Sequence, residues 1–498
     1  MKQSERLAAT LLAAFMTTAS FSCQNTQPDE PETSDSDVTT VSEETYTESS
    51  SGVPDDVDLG GETVTMLNAP QYGKFLSLMN SMEETGDTVS DAVYKRNLAV
   101  MDKLNVSLLF NDLDSEGMKG DFVRKAVAAG DNEFDFIVAT QWEIVPLVTE
   151  GMFRDISDLK YVDISQPWWA EDYIQWANIG EDRRYFIAGD ISPEFVRDIG
   201  CVYYNKTVYE NYYGDRNELY DTVLDGKWTL DCVYEITKDT YVDLNQNNTP
   251  DDDDQYGYGL ITAITPDHLF YSSGGHTIVS DNGQPRLDVG CEHNINVAEK
   301  IYKIYHDTEA SIIYPEATIF YTEGVIPEKF AADELLVMFG LLYYSDYLRD
   351  MKSDYGILPT PKYDESQEEY QSLVHDGAPL VCIPMTTPDD KLDTVAAVIE
   401  EMAYQGYSLV TPEYYNVVLK QKYARDSSDK AMIVLDMIRA NTFTDTGYVY
   451  NYAIDGAGLL IRDLMVNAQS NLATAWAAKE SSATAKLEAL IETYTELK

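Results

Sequence analysis

Basic residues are scarce in this chain. Thirty-five Lys and Arg stand against 86 Asp and Glu, a formal net charge of −51 at pH 7. That deficit argues against nucleic acid as a partner and against adsorption to anionic lipid, since both call for a cationic face. Histidine and cysteine are sparse too, at five each. His268, His276, His293, His306 and His375 show no H-x-x-x-H or comparable spacing and read as surface or core residues rather than metal ligands. Cys201, Cys232, Cys291 and Cys382 are scattered without metal-ligand spacing and read as buried free thiols, with a disulfide as the alternative. "SSGG" is not a nucleophile elbow, and neither it nor "DLGG" has the spacing of a nucleotide-binding loop. Carboxylates are so abundant that a hydrolytic pair could always be nominated, so their abundance carries no information, and no catalytic residue is assigned.

Long apolar runs are also missing. The one candidate, "LAATLLAAFMTTASF", falls short of the ~20 residues that cross a bilayer comfortably. With Lys2 and Arg6 before it and "SC" after it, residues 1–23 read as a targeting segment resembling a bacterial lipoprotein signal, with Cys23 as the lipidated residue. Residues 24–58 contain no Lys or Arg and one aromatic residue among mostly Ser, Thr, Asp and Glu. Such a stretch cannot bury enough apolar surface to offset its chain entropy, and it is expected to be a disordered tether. The remaining roughly 440 residues suffice for two large lobes or two to three domains, and 44% hydrophobic content supports real cores.

Strand-like and helix-like segments alternate along that remainder. "ETVTMLNAP" and "VSLLF" read as strands, "VSDAVYKRNLAVMDKLN" as a helix capped by Ser90 or Asp91, and "GDFVRKAVAAG" as a helix closed by Gly130. "FDFIVAT" is a short buried strand. The grammar returns after residue 200 with "CVYYNK", "TLDCVYEITKDTY", "ELLVMFG" and "DYGILPTP". "DKLDTVAAVIEEMAYQG" places Thr394, Val395, Val398, Ile399 and Met402 on one helical face, and the chain is largely helical from "GLLIRDLM" onward. This alternation predicts an α/β protein with parallel sheets flanked by helices. Ligands of open α/β sheets sit beyond the carboxyl ends of strands. That rule selects the loops "NAPQY", "TQWE" and "LLYYSD", all aromatic.

The ordered set "DLGGETVTMLN", "FDFIVATQWEIVPLVTEGMFRDISDL", "PWW", "RRYFIAGDISPEFVRDIGCVYYNK", "DGKWTLDCVYEIT", "DYGILPTPKYDESQEEY" and "YARD" resembles the family-one extracellular solute-binding proteins of ABC importers. The resemblance spans about residues 57 to 465. It implies a two-lobed, periplasmic-binding-protein-like fold with a hinge and discontinuous lobes. The N-terminal lobe would comprise 59–197 plus about 360–412, and the C-terminal lobe 198–359 plus about 413–498. The chain would cross near "EFVRDIG" and again after "GILPTP". The resemblance also implies a carbohydrate ligand, ABC importer permease subunits as partners, attachment to the outer face of the membrane through the lipid, and a monomer. Carried over by local pattern, Gln141 and Trp142 would contact sugar hydroxyls, Asp198 would do so from seven positions before Asn205, and Tyr343 or Tyr344 would stack on a ring. Tyr72 lies in the first strand-end loop. "QPWW", with Trp168 and Trp169, either faces the cleft or packs the lobe. A neutral polyol suits this set, since aromatic rings cover its C–H faces and planar Asp, Asn and Gln groups pair with its hydroxyls. The alternatives are a non-sugar solute such as a peptide or polyamine, a calcium-dependent surface adhesin or structural module, and, last, an enzyme.

One segment stands apart. "DLNQNNTPDDDD" places Asp243, Asn245, Asn247, Thr249, Asp251 and Asp254 at positions 1, 3, 5, 7, 9 and 12, the spacing of an EF-hand calcium loop. Position 6 is Asn248 instead of Gly, and position 12 is Asp instead of the longer Glu. The pattern predicts a structural calcium ion away from the solute, against the alternative of a hydrated turn rich in Asx hydrogen bonds. No cofactor is required for the expected function.

Overall fold

The structure is a computed structural model that describes residues 50–69, 79–113, 119–179, 183–281, 283–315, 325–420 and 429–497. Cys23, Tyr72 and residues 24–49 of the expected tether lie outside the described residues. The last part of that tether packs on the domain, with Ser51 and Val53 buried and the Gly52 N–H donating to Glu400 at 3.0 Å, a correction to the expectation of a disordered tether as far as residue 58.

Thirteen strands are described, in chain order β1 (Glu62–Ala69), β2 (Val106–Asp112), β3 (Phe136–Thr140), β4 (Gly200–Asn205), β5 (Tyr256–Ile261), β6 (Ile278–Asp281), β7 (Gln284–Leu287), β8 (Ser311–Tyr314), β9 (Leu335–Leu341), β10 (Tyr355–Leu358), β11 (Ser372–Leu373), β12 (Pro379–Cys382) and β13 (Thr442–Phe443). Two sheets organise the molecule. One has the order β12-β3-β1-β2 and the other β10-β4-β9-β5-β8. The first is parallel from β3 to β2, with Met66 opposite Phe136 and Glu62 opposite Val106, but β12 joins antiparallel. The second is parallel from β9 to β8, and β4 runs antiparallel to both of its neighbours. The all-parallel expectation is therefore corrected. Strands that enter a sheet by a crossing from the other lobe, such as β12, meet their neighbours head to tail. Every residue of β9, "LLVMFGL", is buried, as expected of a central strand covered on both faces.

The helices follow the sequence periodicity. Helix Thr88–Leu104 buries Val89, Ala92, Val93, Val100 and Leu104. Its cap is Asp87, whose carboxylate accepts the Ser90 N–H, rather than Ser90 or Asp91. Asn105 closes it in the left-handed conformation. Helix Leu392–Gln405 buries Thr394, Val395, Val398, Ile399 and Met402 as one face and packs on helix Thr88–Leu104. Trp168 and Trp169 belong to the core. Their indole N–H groups donate to the two oxygens of Glu400, at 3.1 and 3.0 Å.

Segments running between the two sheets lie side by side. Ile199 bridges Val374, β11 pairs with β13, and the Val374 N–H donates to the Phe443 carbonyl at 3.0 Å. Gly200 opens β4 at this crossing. A Cβ there would collide with the His268 ring, so glycine is what lets the strand pass.

Candidate functional site

The carboxyl ends of β3 and β9 and the crossing segments converge. Helix Gln141–Thr149 begins directly after β3, and the Gln141 and Trp142 N–H groups donate to the Ala378 and Asp376 carbonyls at 3.0 and 3.3 Å. Gln141 is buried and its carboxamide oxygen accepts the Tyr173 hydroxyl. Trp142 is half-buried beside it. The Tyr173 ring packs edge-on against Phe195 of helix Pro193–Arg197 at 5.2 Å. Asp198 ends that helix. Its carbonyl accepts the His375 N–H at 3.0 Å. Of the residues expected to meet ligand, the structure thus gathers Gln141, Trp142 and Asp198 around Tyr173 and the 375–378 crossing.

Tyr343 and Tyr344 lie just beyond, in the turn Leu342–Asp346 that follows β9. Tyr344 is buried and Tyr343 half-buried, their rings 4.9 Å apart. Arg197 ties this turn to the crossing. Its guanidinium pairs with Glu194 at 3.1 Å and Asp346 at 2.9 Å, and lies over the Tyr343 and Tyr414 rings at 5.9 and 5.4 Å. Arg197, Tyr173, His375 and Asp376 were not singled out from the sequence. Arg197 alone carried a local hint, as the neighbour of Asp198. The others come from segments roughly 200 residues apart in the chain, which only tertiary contact joins.

Burial dominates the electrostatics here. It raises the Asp198 carboxyl well above the usual carboxylate range, Glu194 and Asp376 push the same way, and Arg197 opposes them. Burial likewise lowers His375. Its Nδ1 accepts the Gly377 N–H at 2.9 Å, so Nε2 carries the proton toward Asp376 at 3.3 Å. Beneath lies His268, fully buried, its ring stacked 6.3 Å from His375 and its two nitrogens without a hydrogen-bond partner among the described residues. The fully buried Asp267 carboxylate pairs with Arg462. Aromatic faces, a carboxamide and carboxylates thus surround one region, the set that recognises a polyol by stacking and paired hydrogen bonds.

A separate cavity of about 580 Å³ lies between residues 157–184 and the β6–β7 hairpin. Its wall includes Trp176, Asn178, Arg183, Arg184 and Thr446, and none of the residues expected to meet solute. Arg183 and Arg184 both interact electrostatically with Asp155, whose carboxylate accepts the Arg184 backbone N–H at 3.2 Å.

In the acidic loop the side chains are turned onto the loop itself. Asp243 accepts the Asn247 and Asn248 N–H groups at 3.2 and 2.8 Å. Asn247 Oδ1 accepts the Thr249 N–H, and the Asn245 and Asn247 amides donate to Asp251. Asn248 takes the left-handed conformation (φ 58°) that glycine supplies in EF-hand loops. Asp254 is buried. One of its oxygens accepts the Leu244 N–H, the other the Tyr241 hydroxyl and the Asp251 N–H. All four described cysteines are free, but Cys232 and Cys291 are only partly buried, a correction to the reading of all four as buried thiols. Cys291 also lies with His276 and Asp288 in a cluster that the sequence spacing did not reveal.

Two sheets of this order, joined by adjacent crossings with a polar and aromatic set at their strand ends, define the two-lobed periplasmic-binding-protein fold. Solved structures of that fold match nearly end to end. An ABC transporter solute-binding protein from Thermotoga lettingae bound with α-D-tagatose superposes with a TM-score of 0.54 at 14% identity, covering 86% of this chain and 100% of that one. A Listeria monocytogenes ABC substrate-binding protein in complex with cycloalternan gives 0.53 at 11% identity, covering 86% and 99%. UgpB from Mycobacterium tuberculosis in complex with glycerophosphocholine gives 0.53 at 13%, covering 81% and 96%. At these identities the likeness establishes the fold alone. No protein-family model and no curated protein matches the sequence. No helix among the described residues is long and apolar enough to cross a membrane.

Proposed function

We propose that this chain is an extracellular solute-binding protein that captures a carbohydrate and delivers it to the permease subunits of an ABC-type importer, without performing chemistry. The observation that carries this reading is the convergence of Gln141, Trp142 and Asp198 with Tyr173 where the segments between the two sheets run together. The fold supports it, because solved structures carrying sugars match over almost their whole length. Hinge closure of the lobes around solute is the device that periplasmic binding proteins use, and Gln141, buried here, would be reached as the lobes part. Micromolar affinity needs only about 8 kcal/mol of net binding, within reach of a few stacks and charge-assisted hydrogen bonds.

Cys23 would be the lipidated residue that holds the protein, as a monomer, at the outer face of the membrane, with the acidic segment after it as the tether. The acidic loop would hold a structural calcium ion through Asp243, Asn245, Asn247, Asp251 and the Thr249 carbonyl, with Asp254 serving as an internal brace. A second reading, a non-sugar solute, is favoured by the match to a structure holding glycerophosphocholine. Calorimetry and thermal shift across mono- and oligosaccharides test the primary reading. Saturable binding of at least one sugar is expected. Indifference to all of them, with binding of a phosphodiester or an amine instead, would replace it by the second.

A further inference from the structure

We propose that His276, Asp288 and Cys291 form a binding site for a divalent transition-metal ion of the zinc type, with a fourth coordination position left to solvent.

The three residues come together because a β-hairpin returns the chain onto the start of a helix. His276 precedes β6, Asp288 follows β7, and Cys291 caps helix Glu292–His306, its Sγ accepting the Asn294 N–H at 3.5 Å. Asn294, fully buried, fixes the backbone of all this. Its amide donates to the carbonyls of His276, Asp288 and Val289 at 2.6, 3.1 and 3.2 Å, and its oxygen accepts the His276 N–H at 3.1 Å. The donor atoms are therefore held by a rigid support rather than by loop chance.

Their orientation is that of ligands. His276 Nδ1 lies 3.2 Å from the Gly274 carbonyl, which can only accept, so Nδ1 carries a hydrogen. The lone pair of the neutral ring then belongs to Nε2, and Nε2 points at Asp288 Oδ2, 3.0 Å away. A lone pair facing a carboxylate oxygen requires a cation between them, either a proton on the ring or a metal. A proton accounts for two of the groups, and Cys291, which caps the helix through the same Sγ, brings a third donor atom to them. Its Sγ lies 3.8 Å from the same Nε2, and one donor atom from each of the three residues falls within 4.8 Å of the others. Tetrahedral zinc with ordinary bond lengths separates N from O by about 3.3 Å and N from S by about 3.6 Å. The observed separations differ by a few tenths of an ångström. The outer contacts fit as well. Arg286 holds the other oxygen of Asp288 at 2.5 Å and so aims Oδ2 inward, and the Gly274 carbonyl fixes the imidazole tautomer.

Imidazole, carboxylate and thiolate select zinc-type ions over magnesium and calcium. Binding displaces the thiol proton of Cys291, so affinity rises with pH. With Asp and thiolate ligands the dication is neutralised. The His276 and Asp288 side chains are about a quarter exposed and Cys291 is partly buried, which gives solvent the fourth position. Occupancy would pin the β6–β7 hairpin, one wall of the 580 Å³ cavity, to helix Glu292–His306.

The test uses the full chain, stripped with chelator and titrated with Zn²⁺ and Co²⁺. One equivalent of Co²⁺ is expected to produce a thiolate charge-transfer band and tetrahedral ligand-field absorption, and Zn²⁺ to displace it and raise the melting temperature. Cys291→Ser keeps a good helix cap and so is expected to fold, yet it loses the charge-transfer band and at least about a hundredfold in affinity. His276→Ala is expected to lose tetrahedral binding as well. Asp243→Ala, in the acidic loop, is expected to change none of this. Absence of stoichiometric Co²⁺ binding in the wild type, or a band that survives both Cys291→Ser and His276→Ala, overturns the assignment and leaves a protonated His276–Asp288 ion pair.

Discussion

Two regions of this molecule concentrate carboxylates, and they accommodate the repulsion in opposite ways. The loop from Asp243 to Asp254 stays mostly in water and turns its side chains onto its own backbone N–H groups and amides. The crossing region buries Asp198 and Asp267, partly buries Glu194, and sets Arg197 and Arg462 against them. In the loop, water and local hydrogen bonds meet most of the charges, with the Tyr314 hydroxyl reaching Asp252 from elsewhere in the fold, so most of the pattern can be read from residues a few positions apart. At the crossing Arg462 reaches Asp267, and Arg197 reaches Asp346, by tertiary contact, while Arg197 also meets Glu194 within one helical turn, and desolvation weighs on the protonation states. A functional site is to be sought where charge has been buried at a cost, rather than where it is most abundant.

The largest expected effect comes from removing a counter-charge at the crossing. Asp267 is fully buried, and Arg462 reaches it through two nitrogens of its guanidinium. Arg462→Ala leaves an uncompensated carboxylate and is expected to destabilise the fold by about 3–5 kcal/mol, read from denaturant midpoints. Asp253→Ala in the loop is expected to shift the midpoint far less. Equal shifts would erase the contrast between the two regions.

A second test sharpens the role of desolvation. Asp445 accepts N–H groups from Gly447, Tyr448 and Thr277, which favour its ionised form, yet burial outweighs them and pushes it up to about 6. The folded-state value thus exceeds the ordinary value near 3.9. The folded state binds the proton more tightly, so this group's contribution to stability is complete below about pH 4 and is lost as pH rises through about 6. The full swing is about 3 kcal/mol. Asp445→Asn is expected to remove that slope between pH 4 and 6 in urea melts. An unchanged slope in the variant would mean that the hydrogen bonds, not burial, set the state of Asp445.

These particulars show how far the sequence reaches. Helix Leu392–Gln405 and strand β9 were legible because each is set by local periodicity or by an unbroken apolar run. The helix cap moved from Ser90 or Asp91 to Asp87 because several polar residues compete within one turn and geometry picks the one that reaches the Ser90 N–H. Strand direction was not legible. β4 and β12 are antiparallel to their partners because of where the chain crosses between lobes, a fact with no local signal. The strand-end rule pointed to Gln141 and Trp142 but not to Tyr173 or Asp376, which the fold brings beside them from other segments. His276, Asp288 and Cys291 escaped because a hairpin, rather than a helical turn, sets their spacing. Asp254 had the spacing of a calcium ligand, but the Leu244 N–H, the Asp251 N–H and the Tyr241 hydroxyl turn it inward.

The loop itself supplies the third test. A cation bound only by the folded state stabilises it by about 2.7 kcal/mol at a hundredfold excess over its dissociation constant. Calcium is expected to raise the melting temperature and EDTA to lower it, with magnesium a poor substitute because it demands a tighter octahedron. Asp243→Ala is expected to abolish the calcium response while sugar affinity stays unchanged. A melting curve indifferent to both calcium and EDTA would make the loop a hydrated turn, held by the Asx hydrogen bonds alone.

The smallest expected effect is the most specific to the crossing as a binding site. Trp142 is half-buried at the start of helix Gln141–Thr149, with its N–H on the Asp376 carbonyl. The backbone contact survives truncation of the side chain, so Trp142→Ala removes an aromatic face without disturbing the helix start. A lost stack is worth on the order of 1.4 kcal/mol, a tenfold weaker dissociation constant for whichever sugar binds. The melting temperature of the solute-free protein is expected to move little. Trp176→Ala supplies the comparison, since that indole is half-exposed in the separate cavity wall and lies outside the strand-end set. If calorimetry finds Trp142→Ala unchanged and Trp176→Ala weakened, the solute lies in the 580 Å³ cavity beside Arg183 and Arg184. The buried charges at the crossing would then serve the hinge alone.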